Sequence, residues 1–185
     1  KDVCRIEIIF KAGSWYEKQP LIARLTGRML KEGTSDKNAK QIAEELDMFG
    51  TSLRVDTSGD HMYITLRSLN KHLKSILPLL REVVREASFP ENELKTVIEN
   101  SLQKLKVNLT KNDIVADREL QRDLFGPEHP YGYNSTPKHY HALKPSQLAT
   151  YRDNYLVANN CKIIISGRIQ QEALALLDDY FGDND

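Results

Sequence analysis

Five histidines are enough to build a zinc site, so the spacing of His61, His72, His129, His139 and His141 decides what they do. Two neutral imidazoles four apart on a helix share a face and can hold one metal ion. No pair here has that spacing, and the chain carries neither a His-Glu-x-x-His run nor a Cys-x-x-Cys. His139 and His141 flank Tyr140, which can set two ligands on one side of a strand, yet they fall in a proline-rich stretch with no third ligand close in sequence. Solvated loop histidines are the simpler reading of that pair. His129, in Glu128-His129-Pro130-Tyr131, reads as a loop-packing residue, and His61 and His72, at a strand start and a helix start, are given no role.

Other chemistries find as little support. The chain has no Gly-x-Ser-x-Gly elbow and no Gly-x-Gly-x-x-Gly or P-loop to cradle a phosphate. Cys4 and Cys161 sit alone in apolar runs, too few for a disulfide framework, and are expected to be buried thiols. The carboxylate pairs Glu44-Glu45 and Asp178-Asp179 fall on expected helix surfaces, where solvated faces are commoner than acid–base pairs. With 26 basic against 26 acidic residues the net charge is zero, whereas a nucleic-acid or anionic-membrane binder needs a basic excess. No apolar run approaches the ~20 residues of a membrane span. At 40% apolar and 28% charged, 185 residues are expected to form one soluble domain with a real core.

The elements that must position any site can be read from periodicity. Residues 3–11 alternate, with Cys4, Ile6, Ile8 and Phe10 on one face, which predicts a strand with one buried side. A Gly13-Ser14 turn leads to helical spacing over 20–32 (Leu21, Leu25, Arg28, Met29), ended by Gly33. Ala39, Ile42, Ala43, Leu46 and Phe49 predict an amphipathic helix over 38–49, closed by Gly50. Residues 51–58 and 61–68 alternate about Ser58-Gly59-Asp60 and predict a hairpin. Helices follow over 70–87, from Glu91 along Leu94, Val97, Ile98, Leu102 and Leu105, and over 113–125. Residues 126–138 form a turn-rich loop, Pro145 opens a helix to about Tyr155, Cys161–Ser166 is a continuous apolar strand, and Gln170–Phe181 is a last helix. Without regular βαβ alternation this order predicts an α+β fold, mainly an antiparallel sheet covered by helices on one side.

Several of these stretches, in this order, resemble the pitrilysin/insulinase (M16) family of zinc metallopeptidases. Phe10 to Glu17 looks like the family's first strand and Ala-Gly-Ser-x-x-Glu turn, and Arg24 to Thr34 looks like its metal-binding helix, with Met29, Leu30, Gly33 and Thr34 in place. Asn38–Gly50, the hairpin, Phe89-Pro90-Glu91, Leu124 to Gly132 and Tyr155–Gly167 resemble the segments that follow. The resemblance implies a mitochondrial-processing-peptidase-like metallohydrolase fold for residues 1–185, as a single α/β domain of a longer polypeptide. No signal-peptide pattern precedes the first strand, so the compartment stays open, cytoplasmic or periplasmic in a bacterium.

The departures carry the information. Active members have His-x-x-Glu-His on that helix, with a distal glutamate as third ligand. The resemblance places Arg24 and Arg28 on the two histidines, Gly27 on the glutamate that polarises water, and Lys104 on about the distal ligand. Arginine stays protonated and has no lone pair to give, and glycine offers no base. The resemblance therefore implies a catalytically inactive segment that binds no cofactor itself, the first domain of a zinc-free half. Zinc is expected in a homologous partner half, on the same chain or a separate subunit, closing around a peptide substrate. The stretch from Leu94 to Leu109 and the loop Gly126 to Tyr133 look more like inactive halves than active ones. Surface or interface salt bridges, for instance with Glu44 or Glu45, compete with a substrate- or partner-facing role for Arg24 and Arg28. Two rivals remain: an inert scaffold of the same fold, and an enzyme with a relocated metal site at His129, His139 or His141.

Overall fold

In the computed structural model, which describes residues 2–169 and 171–182, the first strand lies inside the sheet rather than at its edge. Strand β1 (Val3–Phe10) pairs antiparallel with β3 (Met62–Leu69) on one side and β4 (Cys161–Gly167) on the other, and β2 (Ser52–Thr57) pairs with β3, giving the order β2-β3-β1-β4. The register sets Ile8 opposite both Ile64 and Ile163, and Ile6 opposite Leu66 and Ile165. Alternation then gathers Cys4, Ile6, Ile8, Phe10, Met62, Ile64 and Leu66 on one buried face. The fold is α+β.

Among the described residues, eight α-helices cover that face or flank it. They are α1 (Ile22–Met29), α2 (Ala39–Met48), α3 (Leu73–Arg85), α4 (Glu91–Asn108), α5 (Asn112–Phe125), α6 (Pro137–His141), α7 (Pro145–Tyr155) and α8 (Gln171–Phe181). Helix α1 packs against α7, α4 and β2, while α8 packs against α3. Asn38 starts α2 through a capping box, its side chain accepting from the Gln41 N–H while Gln41 accepts in return. No helix among the described residues is long and apolar enough to cross a membrane.

Two expectations change, the start of the first helix and the burial of Cys161, and two other segments gain detail. Helix α1 begins at Ile22, because Leu21 takes a left-handed backbone (φ 73°) that no α-helix continues through. The 113–125 helix buries none of its residues, leaving Leu120, Leu124 and Phe125 exposed. The turn-rich loop runs into a short helix, α6, which holds both His139 and His141. Last, β4 is an edge strand with Ile164 turned outward, so Cys161 is only half-buried while Cys4 is fully buried. The expected helix start at Gln170 lies outside the described residues.

Candidate functional site

The surroundings of α1 decide what Arg24 and Arg28 can do. Ile22, Ala23, Leu25, Thr26, Gly27 and Met29 are buried, which leaves the two arginines, one turn apart, on the exposed side. The start of the helix is held by a half-buried acid. Glu17 accepts hydrogen bonds from the backbone N–H of Leu21 at 3.1 Å and Ala23 at 3.0 Å, and from the Tyr133 hydroxyl at 3.1 Å. These donors and the nearby Arg24 charge favour the carboxylate, but burial outweighs them and pushes the Glu17 carboxyl above its ordinary value. Burial and the Glu17 charge likewise push the Tyr133 phenol up.

The segment that precedes α1 and the loop after α5 are pinned to the hairpin turn. A Cβ on Gly13 would come within 2.5 Å of the Gly59 carbonyl oxygen, so only glycine lets the two backbones approach this closely. Tyr131 donates to the Asp60 carboxylate, and that bond pushes its phenol up to about 12. Trp15, Phe125, His129 and Tyr131 form one aromatic group, with His129 stacked on Phe125 at 5.2 Å. Arg24 opens onto a 400 Å³ cavity beside this group, lined also by Thr57, Arg118 and Tyr133.

Gly27, Arg28 and Lys104 line a second cavity, of 450 Å³, between α1, β2 and α4. The structure thus brings three of the four aligned positions to one cleft and places Arg24 on its neighbour. Arg28 Nη1 donates to Ser101 Oγ at 2.6 Å, and Ser101 donates to the Val97 carbonyl at 2.5 Å. A Cβ on Gly27 would meet Thr57 Oγ1 at 2.8 Å and Val55 Cγ1 at 3.2 Å. Glu44 and Glu45 pair with Lys40 and Lys37 instead of either arginine. Asp178 and Asp179 are exposed on α8.

This residue set does not fit zinc. The aligned positions present two guanidiniums, an ammonium and a glycine with no room for a longer side chain, so no lone pair converges there. The histidines are not gathered either. His129 lies in the aromatic group, while His139 and His141 line separate cavities of 450 and 300 Å³. Among the described residues, no three His, Cys, Asp or Glu side chains are grouped to share a metal. Sequence reasoning missed Ser101 and the Glu17–Tyr133 clamp. The signal for Ser101 was present as a serine among Leu94, Ile98 and Leu105 on the buried stripe of α4.

Residues 1–129 match the family described as Insulinase (Peptidase family M16). The chain belongs to this family. A solved structure from Pseudomonas fluorescens, described as a peptidase M16 inactive domain, superposes with a TM-score of 0.91 at 26% identity, covering 98% of this chain and 45% of that one. The mitochondrial-processing peptidase subunit alpha-1 of Dictyostelium discoideum is 24% identical over 188 residues, 98% of this chain and 28% of its own length. A Helicobacter pylori protein named as a non-peptidase homolog is 31% identical over 122 residues, 65% of this chain and 28% of its own. The chain therefore spans less than half the length of these M16 relatives, and its likeness is to the inactive kind of M16 domain.

Proposed function

We propose that this domain is a non-catalytic part of an M16-type zinc protease, walling the peptide chamber and meeting a zinc-bearing half. The observation that supports this reading is an M16 fold in which Arg28 and Ser101 make the contact across the cleft between α1 and α4. In this reading the zinc-bearing half holds the metal and polarises the attacking water. This domain encloses and orients the unfolded peptide, with Arg24 and Arg28 turned toward substrate or partner. The Dictyostelium relative, named as one subunit of a processing peptidase, supports a pairing of halves. Mixing the full-length protein with its His-x-x-Glu-His homologue should yield peptide hydrolysis that neither gives alone. Full activity from the zinc-bearing homologue by itself would contradict the proposal.

A second reading, a proteolytically inert scaffold of the same fold, is favoured by the Helicobacter relative named as a non-peptidase homolog. It predicts stable association with a partner and no effect on peptide turnover in the same experiment.

A further inference from the structure

Where the family places zinc ligands, this chain builds a cleft with the opposite charge preference. Four cationic side chains, Arg28, Lys31, Arg54 and Lys104, reach the 450 Å³ cavity against one carboxylate, Glu32. They differ in how far they are already engaged. Arg54 is paired with Asp56, Nε to Oδ2 at 2.7 Å, and so is largely neutralised. Lys31 gives one hydrogen to the Leu53 carbonyl at 3.0 Å and keeps two, and Arg28 gives one of its five to Ser101. Among the described residues, no carboxylate oxygen lies within 4.0 Å of the charged nitrogens of Arg28, Lys31 or Lys104. Because Ser101 sends its own proton to the Val97 carbonyl, its lone pairs face Arg28. Ser101 thus orients the guanidinium without cancelling its charge.

We infer that this cleft binds a carboxylate carried by a peptide, with Arg28 as the directional contact and Lys31 and Lys104 supplying charge. A guanidinium fork matches the two oxygens of a carboxylate, and each such bond is stronger than a neutral one. That the anion is borne by a peptide rests on the proposed function, whereas the preference for an anion rests on the cleft alone. An acidic side chain and a peptide C-terminus share this chemistry.

Fluorescence anisotropy on the whole chain separates these sources with three unstructured peptides of equal length. One carries a central glutamate and an amidated end, the second glutamine and an amidated end, the third glutamine and a free C-terminus. At least one acid-bearing peptide should bind about tenfold or more tightly than the uncharged one. Gain with glutamate assigns the side chain, and gain with the free end assigns the terminus. The preference should disappear in Arg28→Gln/Lys104→Gln, persist in Lys40→Gln, and weaken as salt rises. Equal binding of all three peptides, or a preference that survives the double variant, overturns the anion site and leaves peptide enclosure standing. If no peptide binds, enclosure fails as well. Binding of glutarate but no peptide would make the cleft a free-anion site and contradict the inference. Arg28 and Lys104 are exposed, so the variants should keep the wild-type unfolding temperature; salt dependence of the unaltered chain tests the same point if they do not.

Discussion

Arg28 Nη1 and Ser101 Oγ, 73 residues apart in sequence, meet at 2.6 Å and bridge α1 to α4 across the cleft. The bond orients an exposed guanidinium rather than supporting the core. Ser101→Ala removes two hydrogen bonds, the one from Arg28 and the one to the Val97 carbonyl, and gains a little helix propensity, so unfolding free energy should fall by about 1–2 kcal/mol. Denaturant titration checks this, and a loss above ~3 kcal/mol would make the contact structural.

Gly27 is the tightest point of the old motif. Alanine there recovers ~1 kcal/mol of helix propensity, but its methyl must displace Thr57 and Val55. Overpacking of this kind costs about 1–3 kcal/mol, so Gly27→Ala should be net destabilising by ~1 kcal/mol. Gly27→Glu, which restores the family residue, should cost more, because it buries an unpaired carboxylate in the same space. Thermal unfolding of both variants tests the packing, and a stabilised alanine variant would contradict it.

The clamp between Glu17 and Tyr133 fixes the start of α1 to the loop after α5. Tyr133 donates to Glu17 and also accepts from the Leu21 N–H at 3.1 Å, so phenylalanine removes two contacts at a half-buried carboxylate. Tyr133→Phe should lower stability by about 1–3 kcal/mol. An unchanged midpoint would show that the hydroxyl is dispensable.

Two carboxylates should shift stability in opposite directions with pH. Burial raises the Glu17 carboxyl above 4.5, so the folded state binds its proton more tightly than the unfolded chain. Its favourable contribution is complete below 4.5 and is lost as pH rises through the folded value. Burial pushes Glu82 up too, but hydrogen bonds from Lys37 and Thr34 hold it below 4.5. Its contribution is present above 4.5 and is lost as pH falls through the folded value. Measured against pH, the stability of the natural chain relative to Glu17→Gln should rise on acidification, and relative to Glu82→Gln it should fall. Parallel curves would contradict both assignments.

Much of this was legible where one face of an element is buried and the other is wet. Strand β1, the hairpin, α2 and α4 announce themselves through residues such as Ile6, Ile8, Ile42 and Leu94, whose spacing is set by the helix or strand period alone. That Arg24, Gly27 and Arg28 share one helix was equally legible, because they lie within about one turn of each other. What escaped depends on contacts between distant segments. Glu17 and Tyr133 are 116 residues apart, and neither has a local pattern that marks their contact. The left-handed Leu21 follows from that clamp, which captures the N–H groups at the helix start. Cys161 was expected to be buried because an apolar run does not say which strand ends at a sheet edge. The split of Arg24 and Arg28 between two cavities depends on what β2, α4 and the loop after α5 bring beside each of them.

With Arg28 and Lys104 in the cleft between α1 and α4, and Arg24 beside it, the chain should hold no zinc, and its metal content decides the matter. The whole chain should be equilibrated with stoichiometric zinc at neutral pH, freed of unbound metal, and analysed for metal. No zinc above the buffer control is expected. One zinc per chain would contradict it.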